Sequence, residues 1–242
     1  MTHGTVLVTG ANGDIGAAIC ATLANAQWSV VASDMAPKPR ASLVGVVARY
    51  VSLDVTDQVA CETALADLPE LDAYVGNAGI VIPQPALDVD DDTFRRHLEV
   101  NLVGNVRLAR GIARSLVSRK RPGSIVFTGS WVGERPWPEL LCYSATKAAL
   151  AMATKTLAKE WATHGVRVNL VAPGIVDAGL AKAEADRNPE YARRIQNAVP
   201  LGHLQSTDDV ASAIAFLLSP QARSITGTTL LVDGGCSLGS TD

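Results

Sequence analysis

Short, nearly continuous apolar runs alternating with longer helical patterns constrain this 242-residue chain more than any other feature. β-type runs fall at 6–9, 29–33, 49–53, 73–76, 124–128, 167–171 and 230–232, and helical patterns at 15–26, 57–67, 91–118, 144–163 and 207–218. A strand that is apolar on both faces must be covered on both faces, and strands separated by helices pair in parallel. The pattern predicts an α/β fold: a doubly wound parallel sheet of about seven strands with helices on both faces. No Ser/Gly-rich linker, repeat or low-complexity tract divides residues 1–242, so a single domain is expected.

Composition narrows the function classes. Lys and Arg number 21 against 24 Asp and Glu, a net charge of −3. Tracking nucleic-acid phosphates needs a basic excess, so no nucleic-acid partner is expected. No apolar run reaches the ~18 residues of a spanning helix, so no membrane partner is expected either. The chain passes from Met1 straight to an apolar run at 5–8, without room for a secretory leader, and a cytoplasmic location is expected. Cys20, Cys61, Cys142 and Cys236 form no CxxC pair and the histidines lie far apart, so neither a disulfide framework nor a metal site is expected.

Thr9-Gly10-Ala11-Asn12-Gly13-Asp14-Ile15-Gly16 follows the first strand and opens the first helix. Glycines at such a junction let the backbone turn tightly and approach a pyrophosphate, whose charge meets the helix N-terminus. Asp34 ends the next strand 18 residues after Gly16, close to the spacing of an acid that holds ribose hydroxyls in a Rossmann-type site. Met35 follows it. The nearest basic residues, Lys38 and Arg40, come after Pro37 and flank Pro39, so they are not expected to bend back toward Asp34. A carboxylate there accepts from a ribose hydroxyl and repels a 2′-phosphate, which favours NAD over NADP.

With these motifs the sequence resembles the short-chain dehydrogenase/reductase family, over roughly 5–235. The family opens on Thr-Gly-x-x-x-Gly-x-Gly; Gly10 and Gly16 match, while Asp14 stands at the middle glycine, one residue after Gly13. We expect the Asp14 carboxylate to serve the helix start as a cap. The resemblance implies an adenine-contacting pair in Asp54 and Val55, and further cofactor contacts from Asn77, Ala78 and Gly79, with Gly76 where another Asn is common. It also implies a segment beside the nicotinamide in Pro173, Gly174, Ile175 and Val176. Ala178 stands where a Thr commonly touches the cofactor. Thr226-Gly227 and Val232-Asp233-Gly234-Gly235 complete the match. NAD is the expected cofactor, held by these segments together with Gly10, Asn12, Gly13, Asp14, Ile15, Gly16, Asp34 and Met35.

Tyr143-Ser144-Ala145-Thr146-Lys147 carries the chemistry. Residues four apart on a helix share a face, so the phenol and the ammonium look into one site. A free Tyr has a pKa of about 10, and a cation close by is expected to lower it by roughly 1–3 units, toward a usable acid–base. Ser130, just beyond the strand at 124–128, is expected to donate to the substrate oxygen. Asn101 completes the family's tetrad of Asn, Ser, Tyr and Lys. The resemblance adds that Lys147 binds the nicotinamide ribose and that Asn101 holds a water leading from Lys147 to solvent.

Trp131, Trp137, Leu140 and Leu141 lie between Ser130 and Tyr143 and are expected to wall the substrate pocket. Residues 177–200 fall beyond a strand's C-terminal end and read equally as a flexible substrate lid or a surface helix pair. Arg107, Arg110 and Arg114 share a helical face and read by default as a solvated stripe. The leading expectation is an NAD-dependent dehydrogenase of a secondary alcohol, a polyol or sugar, or of the matching ketone. The rivals are a 3-oxoacyl-thioester reductase, whose acidic carrier the arginine stripe would receive, and a non-catalytic NAD-sensing protein. By resemblance a homotetramer or homodimer is expected, paired through helices that include 103–118 and 144–162.

Overall fold

The computed structural model describes residues 4–238. The strands are β1 (Thr5–Thr9), β2 (Ser29–Asp34), β3 (Arg49–Ser52), β4 (Ala73–Gly76), β5 (Gly123–Thr128), β6 (Val166–Pro173) and β7 (Thr229–Val232). They form one parallel sheet in the order β3-β2-β1-β4-β5-β6-β7. Strand order reverses between β1 and β4, and the crevice that reversal opens at the C-terminal edge is where such folds bind ligands.

The helices are α1 (Asp14–Asn25), α2 (Gln58–Asp67), α3 (Asp91–Leu98), α4 (Asn105–Ser118), α5 (Leu141–Trp161), α6 (Gly179–Arg187), α7 (Pro189–Asn197) and α8 (Thr207–Leu218). Alternate residues of a strand serve opposite faces. Val6 and Val8 pack with Ile19 and Leu23 of α1 and Ile214 of α8. Leu7 packs in the opposite core with Leu108 and Ile112 of α4 and Leu150 of α5. Each such buried aliphatic contributes about 1.5–3 kcal/mol relative to exposure. The doubly wound sheet expected from the apolar runs is the one observed.

Three local departures matter for the site. The pattern at 91–118 is interrupted by a π-helical turn, Glu99–Gly104, which carries Asn101 between α3 and α4. Such turns insert one extra residue and redirect the following side chains. The helix expected at 144–163 starts earlier, at Leu141, so Tyr143 sits in its first turn. Residues 179–197 form a pair of short helices: Asn188 caps α7 by accepting from the Glu190 and Tyr191 N–H groups, and Pro189 takes the first helical position, where it needs no N–H partner.

Candidate active site

The glycine turn after β1 is built by close approach. Gly10 lies at φ 65°, and a Cβ there would meet Ala78 Cα at 2.9 Å; a Cβ on Gly16 would meet the Gly10 carbonyl at 2.1 Å. Gly13 is the N-cap of α1 and offers no side-chain acceptor to the helix's first N–H groups. Uncapped donors on a turn with no Cβ to obstruct it suit a pyrophosphate. Asn77 braces the turn: its Nδ2 donates to the Thr9 and Gly10 carbonyls, 3.2 Å each, and its Oδ1 accepts from Thr128 Oγ1. Ala78 N–H donates to Thr9 Oγ1.

At the end of β2, Asp34 Oδ2 accepts from Asn12 N–H at 3.1 Å and Oδ1 from Ala36 N–H at 3.2 Å, while Met35 is exposed. Asp54, after β3, accepts from the Thr56 N–H and hydroxyl, and Val55 is buried. Pro173 ends β6; Gly174 N–H donates to Val232 O, and a side chain at Gly174 would strike Gln205 and Asp233. Ile175 and Val176 are buried behind it. These segments lie at the C-terminal ends of β2, β3 and β6.

One expectation fails here. Lys38 and Arg40 make no hydrogen bond or ion pair with Asp34, but Arg40 turns onto the glycine turn: its Nη1 donates to the Asn12 carbonyl at 3.2 Å and to Asp14 Oδ1 at 3.1 Å. The prolines do not prevent this, because the Arg40 N–H is anchored on Asn12 Oδ1 at 2.8 Å and starts the side chain beside the turn. Asp14 is not the cap. It is already inside the first turn of α1, and its other oxygen accepts from Gly179 N–H at the start of α6, 165 residues away, at 3.1 Å. Its charge is thus compensated by Arg40 and aimed at α6.

The four tetrad positions converge at the ends of β4 and β5. Lys147 is buried, its Nζ donating to the Thr128 carbonyl at 2.8 Å and lying 5.4 Å from the Tyr143 ring centroid. Burial pushes its pKa down to about 8. Burial also pushes the Tyr143 phenol up, and the hydrogen bond with Ser130 offsets part of that rise. The expected lowering of Tyr143 is therefore not found in the free chain, because desolvation outweighs the other influences on the phenol.

Asn101 is fully buried on its π turn. Its Oδ1 accepts from Ile80 N–H at 2.7 Å, and its Nδ2 donates to the Ile80 carbonyl and Thr146 Oγ1. Asn105 continues the brace, donating to the Ala78 carbonyl. Gly79 passes between, with space for a Cβ only 3.3 Å from Asn101 Oδ1 and 3.6 Å from Lys147 Nζ. Thr128, Thr146 and Asn105 were invisible as site residues in the sequence, because each acts through a contact distant along the chain.

Above Tyr143 an apolar cluster forms from Trp131, Trp137, Leu140, Ile175 and the helix pair's Ala181, Ala185, Tyr191 and Ile195. Trp131 and Trp137 meet edge to face, centroids 5.3 Å apart, and the Arg194 guanidinium of α7 lies 4.2 Å over Trp137. Leu141 is 48% exposed and lies outside the buried cluster, but it lines a hollow together with Trp137, Glu134, Arg135 and Ala145. Leu140 and Tyr143, three apart, share a face, and Leu141 is turned about 100° away from Leu140.

The arginine stripe is only partly solvated. Arg107 donates to the Val55 carbonyl at 2.7 Å, whereas Arg110 and Arg114 are exposed. His97 is buried and structural, accepting from Ile82 N–H. Among the described residues no cluster of His, Cys, Asp and Glu suits a metal ion, and no helix is long and apolar enough to cross a membrane.

A doubly wound parallel sheet with this glycine turn and a Ser–Tyr–Lys group at its C-terminal edge defines an oxidoreductase built on a nicotinamide-cofactor fold. Comparison with known proteins narrows the class. The family model described as enoyl-(acyl carrier protein) reductase matches residues 10–237. L-xylulose reductase of Homo sapiens is 36% identical over 234 residues, covering 95% of each chain. Carbonyl reductase [NADPH] 2 of Sus scrofa is 36% identical over 185 residues, 76% of this chain and 75% of that one. The structure of 4-hydroxyisoleucine dehydrogenase complexed with NADH superposes with a TM-score of 0.92 at 29% identity, covering 98% of this chain and all 100% of the other. The chain belongs to the short-chain dehydrogenase/reductase family.

Proposed function

We propose that this chain is an NAD-preferring oxidoreductase of secondary alcohols and their ketones, of the polyol or sugar kind, with Tyr143 as the acid–base. The observation that carries the reading is the half-buried Tyr143, its phenol hydrogen-bonded with Ser130 and flanked by the Lys147 ammonium, at an apolar cluster on the sheet's C-terminal edge. A bound nicotinamide supplies the hydride acceptor or donor. The turn Gly10–Gly16 holds the pyrophosphate, Asp34 the adenosine ribose, and Asp54 and Val55 the adenine. Asn77, Ala78, Gly79 and Pro173 to Val176 flank the nicotinamide half. L-xylulose reductase among the relatives supports the sugar class. Asp34 with exposed Met35 beside it supports NAD.

Each residue's task follows from its surroundings. A phenol kept protonated by burial is ready to give its proton to a carbonyl oxygen as that oxygen gains charge. In the reverse direction Tyr143 takes the alcohol proton, and the Lys147 charge stabilises the phenolate so formed. Ser130 donates to the same substrate oxygen. Lys147, still largely charged at pH 7, also binds the nicotinamide ribose. Asn101 has spent its carboxamide on Ile80 and Thr146 and acts by positioning the wall beside Lys147. The helix pair α6–α7 is the substrate lid of a single catalytic domain, closing Tyr191 and Ile195 over the tryptophans. The working form is a homotetramer or homodimer.

A screen of alcohols and ketones, followed by nicotinamide absorbance with NAD and NADP in parallel, tests the reading. Turnover of polyols or sugars with NAD is expected; cofactor binding without turnover on any substrate would instead favour a sensing protein. The 3-oxoacyl-thioester reductase is favoured by relatives as similar as L-xylulose reductase: the 3-oxoacyl-[acyl-carrier-protein] reductase FabG of Salmonella typhimurium is 36% identical over 236 residues, covering 95% of each chain, and the matching family model is likewise described by an acyl-carrier-protein reductase. It requires NADPH dependence and loss of activity on replacing the exposed Arg110 or Arg114.

A further inference from the structure

Asp14 occupies a position where the family's motif has glycine, and its two carboxylate oxygens are both engaged: Oδ1 by Arg40 at 3.1 Å, Oδ2 by the Gly179 N–H at 3.1 Å. Asn12 lies between this pair and the ribose acid. Its N–H donates to Asp34 Oδ2, its carbonyl accepts from Arg40 Nη1, and its Oδ1 accepts from the Arg40 N–H. The Asp34 carboxylate and the Arg40 guanidinium therefore sit on either side of a single residue. Arg40 is the cation best placed to meet a phosphate on the adenosine ribose. Lys38 is tied through its carbonyl to Asn12 Nδ2 but makes no side-chain ion pair among the described residues.

We propose that Asp14 is a cofactor-specificity residue acting at one remove: it holds Arg40 over the glycine turn and so keeps it from pairing with a ribose 2′-phosphate. The proposal rests on the reading of this turn and Asp34 as an NAD site. The Gly179 bond matters because it fixes the carboxylate's orientation, leaving Oδ1 facing Arg40. The same arrangement accounts for an acid being tolerated beside a pyrophosphate: its charge is compensated before the cofactor arrives. The pair is partly exposed, 38% for Arg40 and 48% for Asp14, so its hold is limited to about fivefold in an equilibrium.

The test measures binding of 5′-AMP and 2′,5′-ADP by calorimetry to the wild type, Asp14→Asn, Arg40→Gln and the double variant, with Asp14→Gly as a second form that restores the family's residue. Asp14→Asn is expected to raise the ratio of 2′,5′-ADP affinity to 5′-AMP affinity about fivefold, and to leave that ratio unchanged in the Arg40→Gln background. An equal gain in both backgrounds means that Asp14 acts by direct repulsion and overturns the proposal alone. No gain in either single Asp14 variant also overturns it. A wild type that binds 2′,5′-ADP more tightly than 5′-AMP overturns the NAD reading and the proposal together.

Discussion

Replacing Lys147 by Met should make the protein more stable at neutral pH while abolishing its chemistry, and the size of the effect follows from the site. Lys147 is 4% exposed, holds the Thr128 carbonyl at 2.8 Å, and pairs with no carboxylate among the described residues. Burial takes its pKa from 10.5 to about 8. That is a factor of about 300 in proton affinity, or about 3 kcal/mol charged against the folded state. Below pH 8 both folded and unfolded chains carry the proton and the whole cost is present. Between about 8 and 10.5 the unfolded chain binds the proton that the folded chain releases, so the Lys147 contribution to stability rises with pH. Met has similar length and no charge, so it carries no such dependence. At pH 7 the variant should be more stable by about 2 kcal/mol, once about 1 kcal/mol for the lost Thr128 bond is set against the gain. Urea unfolding of both proteins from pH 7 to 10.5 measures this. The advantage of Met should shrink by about 3 kcal/mol across that range. The buried Cys20 and Cys236 thiols, pushed up to about 12 and about 11, act with the opposite sign but equally in both proteins, so they cancel in the difference. A difference that is flat or grows with pH would refute the reasoning.

Ser130→Ala should lower kcat by about 100-fold with nicotinamide affinity unchanged, because it removes one donor to the reacting oxygen; steady-state kinetics with a fluorescence titration of the cofactor checks both. Wild-type kcat/KM should favour NAD over NADP by on the order of 100-fold, and Asp34→Ala combined with Met35→Arg should narrow or invert that ratio. Gly16→Ala forces a Cβ to within 2.1 Å of the Gly10 carbonyl, which is backbone and cannot swing aside. It should cost about 1–3 kcal/mol of stability in a thermal melt and weaken cofactor binding.

The sheet was legible because its strands are apolar on both faces, and Tyr143 and Lys147 because a four-residue spacing fixes a shared helical face. What was not legible depends on contacts that sequence spacing does not encode. The Asp14 partner lies at Gly179, and Arg40 is returned to the turn by the Asn12 side chain, not by its own neighbours. The π turn at Asn101 breaks a continuous helical pattern through one extra residue, which periodicity does not register. The Tyr143 phenol was expected to be lowered by a nearby cation, yet its burial under Trp131, Ile175 and the α6–α7 pair is a tertiary property and governs the outcome.

The central claim is that Tyr143 carries the proton, and Tyr143→Phe tests it most directly, because the ring remains and only the hydroxyl is lost. The measurement is single-turnover nicotinamide absorbance on the best substrate from the alcohol and ketone screen, with cofactor affinity measured on the same preparation. The account predicts at least about a 100-fold loss in the hydride-transfer rate with cofactor binding largely retained. Near-normal turnover in that variant would contradict it.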